Sequence, residues 1–334
     1  MEKALFPVLL FFGWVYGALG FLRCLFYRFN ILSSFKAEVP VISVGNLCIG
    51  GTGKTPVVDY LARELLANGK KTAVVSRGYG RHDIGRPKVV SKGDGPLISP
   101  EFAGDEPFLL ALRNPRLTVI VAVDRKKGIE QAVKEFGAEI VILDDGFQHL
   151  AVKRDLDIVL MDAIRPFGTG KVLPAGPLRE FPSALKRGNL FIFTRMKKGF
   201  MPDIVLPGEA LFCSNKVSTS IYSLGGAQLD LDAIRDRRGG AFAGIADPGQ
   251  FFKDLKSAGL NIVESAAFKD HSAYGNKEIA YLNEIGHRVD YLITTEKDAV
   301  KIKQENFKKD CFVVPLSMEI VEKEKLDSIL ARLF

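Results

Sequence analysis

VISVGNLCIGGTGKTP, residues 41–56, decides how the rest of the chain is read. A short apolar run enters a glycine-rich turn and leaves it through Gly53-Lys54-Thr55 into a stretch with helical spacing. Glycines at 50, 51 and 53 let backbone N–H groups converge on phosphate oxygens at a helix N-terminus, where the helix dipole favours an anion. With Thr52 they form the loop itself, Lys54 reaches the β- and γ-phosphates, and the Thr55 hydroxyl is suited to Mg²⁺. The pattern departs from GxxxxGK[ST] at its first glycine, where Cys48 stands, so the turn is expected to be widened and anchored by Gly45 and Asn46.

Outward from this loop, short apolar runs alternate with amphipathic stretches, the signature of βα units around a parallel sheet. Strands are expected over 39–45, 72–76, 117–123, 139–143, 157–161 and 190–194, with helices over 55–67 and 125–136. A second βα series opens at Gly240 with a strand over 241–246, then Asp247 as N-cap and Pro248 at the first helical position. Further strands are expected over 262–268, 291–294 and 312–316, and residues 217–224 are a candidate connector. The resulting division is 1–30 as an apolar helix, 31–220 as the nucleotide-binding unit and 221–334 as a second α/β unit.

The run Ile140-Val141-Ile142-Leu143 ends in Asp144-Asp145, and a carboxylate at that end of a strand is where a phosphate-loop enzyme places its second magnesium contact. Asp144 is the first choice, with Asp145 as an outer or alternative ligand beside Thr55. Gln148 and His149 add a polar edge to the same place. Arginine-rich segments fall in the loops expected at the mouth of the first unit: residues 76–81 with Arg77, 123–126 with Arg125, and 173–180 with Arg179. Each suits an anionic substrate or the charge on a transferred phosphoryl group.

Composition narrows the class. At 334 residues, 47% hydrophobic and 25% charged, the chain buries a sizeable core and is not disordered. A net charge of +7 suits a phosphorylated substrate or an anionic membrane, and by itself leaves nucleic acid open. Cys24, Cys48, Cys213 and Cys311 lie far apart with no CxxC pair, against a disulfide framework or zinc knuckle. Residues 4–22, ALFPVLLFFGWVYGALGFL, are uncharged and long enough to span a bilayer. A cleaved signal peptide is disfavoured because Arg23 and Arg28 follow directly with no small-residue cleavage site. The expected arrangement is a helix lying in one leaflet, kinked near Pro7 and Gly13, with Trp14, Tyr16 and Tyr27 near headgroups and Arg23, Arg28 and Lys36 on anionic lipid; a buried core helix is the competing reading.

A GTPase would need N-K-x-D and D-x-x-G, and Thr295-Glu296-Lys297-Asp298 and Asp144-Asp145-Gly146 have the wrong order and spacing. Two classes stay open on the residues alone: a kinase with a small acceptor, and a membrane-associated switch ATPase with none. The ordered set GNxxxGGTGKTP, SRGYGR, GDEP, VDR, DDGFQH, LPAGPLRE, KDH and TEKDAVK closely resembles the tetraacyldisaccharide 4'-kinases of the lipid A pathway. The resemblance implies transfer of the ATP γ-phosphate to the 4'-hydroxyl of a tetraacylated, 1-phosphorylated glucosamine disaccharide at the cytoplasmic face of the inner membrane. It implies two α/β/α sandwich domains with largely parallel sheets, the P-loop NTPase type of core, plus the apolar N-terminal helix. It extends the phosphate loop to Pro56 and Val57, and it carries the catalytic pair onto Asp105 and His271. A sugar-hydroxyl kinase needs a carboxylate to accept or orient the proton, and a bonded histidine would tune it; Asp105 as a helix cap and His271 as a loop residue are the alternatives. The expected partners are the lipid disaccharide and the membrane surface, with no nucleic acid and no obligate protein partner.

Overall fold

The computed structural model describes residues 2–78, 85–195 and 202–334. Two sheets organise them. The first contains β1 (Val41–Asn46), β2 (Thr72–Ser76), β3 (Lys88–Lys92), β4 (Thr118–Val121), β5 (Ile140–Asp144), β6 (Leu156–Asp162), β7 (Leu190–Thr194) and β8 (Glu209–Val217). The second contains β9 (Ser220–Ser223), β10 (Gln228–Asp230), β11 (Gly239–Ala243), β12 (Ile262–Ala267), β13 (Tyr291–Thr295) and β14 (Cys311–Val314), after which β15 (Leu316–Ile320) returns to the first. Among the described residues the orders are β15-β8-β7-β6-β1-β5-β2-β4-β3 and β10-β9-β14-β13-β11-β12.

The strand leading into the glycine-rich loop, β1, lies between β5 and β6 and is parallel to both. Its neighbours are apolar on both faces because both faces are covered, the burial that makes a parallel strand read as a continuous apolar run. Ile42, Val44, Val74, Ile140 and Ile142 meet the helix α2 (Lys54–Ala67) through Val57, Val58, Leu61 and Leu65. Val41, Val75, Val141 and Leu143 face the other way, onto Ile129 and Ala132 of α5 (Arg125–Lys134). The second sheet is likewise covered twice, by Phe251 and Leu255 of α6 (Pro248–Ser257) and by Leu282 and Ile285 of α7 (Asn276–Gly286). Asp247 caps α6 by accepting from the Gln250 N–H at 3.0 Å.

The structure departs from the sequence reading at the C-terminal end of the second unit. The expected strand over 312–316 splits at Pro315: β14 stays in the second sheet, while β15 pairs antiparallel with β8. The helix α9 (Lys323–Ala331) follows it, and Met318, Ile320, Leu326, Ile329 and Leu330 join the core of the first sheet. The unit drawn as 221–334 therefore does not keep its C-terminal segment. The first helix, α1 (Glu2–Arg28), runs without interruption through Pro7 and Gly13. It is no core helix: Phe11, Trp14, Leu19 and Phe21 are half exposed or more, and the apolar stretch Phe6–Arg28 is long enough to cross a membrane with only 11% of its window buried.

Candidate functional site

The parallel strands of both sheets end at one cleft of about 430 Å³. From the first sheet come the loop after β1, Ser76 and Arg77 after β2, Asp144 and Asp145 after β5, and Thr194 and Arg195 after β7. From the second come Ile245, Ala246 and Asp247 after β11, Asp270 and His271 after β12, and Thr295, Glu296 and Lys297 at the end of β13.

Gly50, Gly51, Thr52, Gly53, Lys54, Thr55 and Pro56 all line this cleft, whereas Val57 is buried under the loop in the core. Gly53 sits at φ 80° as the N-cap of α2, a left-handed conformation that a side chain resists. As the Cys48 departure led one to expect, Asn46 anchors the turn. Its amide donates to Thr52 Oγ1 at 2.7 Å, and its Oδ1 accepts from Lys54 Nζ at 3.3 Å. The loop also touches the second sheet's side of the cleft, because a Cβ on Gly51 would lie 2.6 Å from the Ala246 Cβ.

The two carboxylates after β5 have unlike surroundings. Asp144 is buried at 3% exposure and accepts from Ser76 Oγ at 2.8 Å, while its Oδ1 is buried with no hydrogen-bond partner. Burial, then the charges of Glu106 and Asp145, push its carboxyl up to about 6 against Ser76 and Lys54. Asp145 accepts at both oxygens from Arg179 Nη1 at 2.9 Å and lies 3.5 Å from Lys54 Nζ. Burial opposes its ionisation, but Lys54 and Arg179 outweigh burial and hold it below the usual carboxylate range.

Asp105 opens the helix α4 (Asp105–Arg113), but Gly104 takes the capping position. The Asp105 side chain instead crosses to the second sheet's loops, where its Oδ2 lies 3.1 Å from His271 Nδ1 and 3.4 Å from Lys301 Nζ. Burial pushes its carboxyl up, and the His271 hydrogen bond with Lys301 and Lys297 more than reverses that. His271 Nε2 is 3.4 Å from Lys297 Nζ, which also pairs with Glu106 at 3.0 Å and Asp270 at 3.1 Å.

Among the expected substrate contacts, Arg77 and Arg179 line the cleft. Tyr79, Gly80 and Arg81 lie outside the described residues. Gln148 stands beside the cleft, donating from Nε2 to the Asn46 carbonyl at 3.0 Å and accepting from Arg179 at 3.4 Å. His149 is half-buried behind it. Arg125 is not brought to the cleft: at 3% exposure it donates to the carbonyls of Ala122 and Asp144, bracing the end of β5. Sequence reading passed over Arg195, which donates to the Gly51 carbonyl at 3.0 Å while pairing with Asp162 at 3.1 Å and Asp247 at 3.2 Å. It also passed over Arg113, which joins Asp59 of α2 to Glu296 across the cleft. Neither lies in a glycine-rich or acidic motif; the only signal for Glu296 was its place in TEKDAVK.

A family model described as tetraacyldisaccharide-1-P 4'-kinase matches residues 5–334. The protein named "Tetraacyldisaccharide 4'-kinase" of Syntrophotalea carbinolica is 49% identical over 331 residues, covering 99% of this chain and 93% of its own. A protein of the same name from Geobacter sulfurreducens is 41% identical over 313 residues, covering 94% and 88%. Among solved structures, LpxK from Aquifex aeolicus, described as an "apo" form in complex with ATP, is similar with a TM-score of 0.82 at 31% identity, covering 99% of both chains.

Proposed function

This chain belongs to the tetraacyldisaccharide-1-P 4'-kinase family, and from that membership we propose how its residues carry the reaction. The enzyme phosphorylates a tetraacylated disaccharide 1-phosphate at the 4' position in lipid A biosynthesis, and it binds ATP as phosphoryl donor. A switch ATPase without an acceptor is set aside on the same ground. The observation that carries the residue assignment is one cleft lined by both Lys54 and His271, with Asp105 Oδ2 3.1 Å from His271 Nδ1.

In this reading Gly50 to Thr55 cradle the phosphates, Lys54 neutralises the β- and γ-phosphates, and Asp105 takes the proton of the 4'-hydroxyl while His271 orients the carboxylate. Phosphoryl transfer asks little covalent chemistry of the protein, so fixed charge at the developing oxyanions is the main contribution. Arg77 and Arg179 are assigned to the substrate's anionic groups, with Gln148 and His149 completing that edge of the site. Thr55 and Asp144 would hold a Mg²⁺ ion, whose positive charge would offset the charge on the transferred phosphoryl group. The residues fit it: Asp144, whose buried Oδ1 has no hydrogen-bond partner, and Thr55 both line the same cleft. Asp145 suits an outer role, since Arg179 engages both its oxygens. The exposed apolar side of α1 is assigned to the cytoplasmic leaflet of the inner membrane, held there without spanning it. The division we propose is α1, a nucleotide unit including β15 and α9, and a second unit from β9 to β14.

The test is transfer of ³²P from [γ-³²P]ATP to a tetraacyldisaccharide 1-phosphate dispersed in detergent. ATP consumption should be low until the acceptor is added. Turnover independent of acceptor would revive the switch reading. Asp105→Asn should be nearly inactive; a fully active variant would remove Asp105 as the base.

A further inference from the structure

The segment Thr295-Glu296-Lys297-Asp298-Ala299-Val300-Lys301 leaves β13 through the short helix α8 (Glu296–Ala299), and its last charged residue has no part in the assignment above. Asp298 is fully buried. Its Oδ2 accepts from the Gly244 N–H at 3.0 Å and from the Thr295 hydroxyl at 2.8 Å, so the carboxylate is fixed to the ends of β11 and β13. Its Oδ1 makes no hydrogen bond and lies 3.4 Å from Lys301 Nζ. Lys301 has a side-chain exposure of only 9%, and its ammonium sits 3.4 Å from Asp105 Oδ2 on the opposite side. The Tyr274 ring covers it, with Nζ 5.3 Å from the ring centroid.

A buried ammonium costs several kcal/mol unless it is paired. Here two carboxylates lie 3.4 Å from it without a hydrogen bond to it, one immobile and one proposed as the base. Lys301 and His271 both meet Asp105 at Oδ2, and Oδ1 of Asp105 makes no hydrogen bond among the described residues. Pinning one oxygen from two sides leaves the other as the proton acceptor.

We infer that Lys301 is a positioning residue of the transfer reaction: anchored by Asp298, its ammonium holds Asp105 Oδ2 and so presents Oδ1 to the acceptor hydroxyl. The inference rests on Asp105 being the base. The charged groups facing Asp105 are Lys301, Lys297 and His271 from the second sheet's loops and Glu106 from its own helix, with Asp270 and Asp298 behind the lysines. Lys301 is among the groups that favour the ionised carboxylate, so its loss should make Asp105 harder to ionise.

The experiment uses the full-length enzyme with ATP and the detergent-dispersed lipid acceptor, comparing Lys301→Met and Lys301→Arg. Lys301→Met should lower kcat on the order of 10- to 100-fold with KM for ATP changed by no more than about twofold. It should also move the acid limb of the kcat/KM profile to higher pH, and Lys301→Arg should recover most of kcat. A folded Lys301→Met enzyme with normal kcat, or with an unmoved acid limb, overturns the inference. Should that variant fail to fold, Asp298→Asn keeps the ammonium but loosens its anchor, and the same two readouts decide. An active Asp105→Asn enzyme would mean the base assignment had failed; an inactive one beside a normal Lys301→Met enzyme would mean only the role of Lys301 had failed.

Discussion

Lys54 shares its ammonium between Asn46 Oδ1 at 3.3 Å and Asp145 Oδ1 at 3.5 Å, so the charge is already aimed before a phosphate arrives. Replacing Lys54 by Ala should lower kcat/KM on the order of 10²-fold or more, because a preorganised charge is lost from the transition state; steady-state kinetics with near-normal turnover would sink the assignment. His149 offers a prediction of another kind. Burial, then Arg125, Arg23 and Arg154, push its imidazole down to about 4 from 6.5. Between those values the unfolded chain holds a proton that the folded chain lacks, so stability falls as pH drops from 6.5 towards 4. His149→Gln has no such proton and should flatten Tm against pH across that window; an unchanged slope would place the acid sensitivity elsewhere. At this scale the glycine-rich turn between β1 and α2 was legible because its residue types and spacing set the local backbone. Arg125 was misplaced because nothing in VDR distinguishes an arginine facing a ligand from one buried against carbonyls.

Among the elements, α1 shows how a helix can be exposed and still tied to the site. A Cβ on Gly17 would come within 2.4 Å of the Phe181 ring, and one on Gly13 within 2.8 Å of the Val172 carbonyl. The helix therefore lies closely on the segment that carries Arg179. Arg23 donates to the Gln148 carbonyl at 3.4 Å, a second link to the acidic loop after β5. Deleting residues 1–28 should release much of the enzyme from membranes and raise the KM for the lipid acceptor while ATP binding survives. Sedimentation with vesicles and KM measurements check this; an unchanged detergent requirement would argue against a membrane role for α1. Parallel strands were legible as apolar runs because both faces are covered. Antiparallel strands gave weaker signals: β3 has only Val89 and Val90 as apolar residues between its lysines, β8 is rich in polar residues, and β15 merges in sequence with β14 across Pro315.

For the whole molecule, the proposed catalytic pair, Asp105 and His271, spans 166 residues of sequence and the cleft between the sheets. Both ends of α4 are tied across it, Glu106 to Lys297 and Arg113 to Glu296, and Arg195 joins the phosphate loop to Asp247. A site assembled across a cleft excludes water from the phosphates only when both sides are in place. If Asp105 and His271 act as a unit, each Ala variant should lose kcat strongly with modest effect on nucleotide affinity, and the double variant should be little worse than the more damaging single one. Independent, multiplicative losses would assign the two to separate tasks.

By itself the sequence determined the glycine-rich strand-to-helix turn, the acidic pair at the end of its strand, the βα series and the apolar first helix, because each is written in contiguous residues whose spacing follows the period of a strand, a turn or a helix. Only the tertiary structure decided that Asp144 is left with an unpartnered oxygen while Asp145 is clamped by Arg179, that Arg125 is buried, and that β15 and α9 rejoin the first sheet. Those outcomes depend on which side chains meet across the cleft and between strands far apart in the chain, and that is a property of packing that no local pattern encodes.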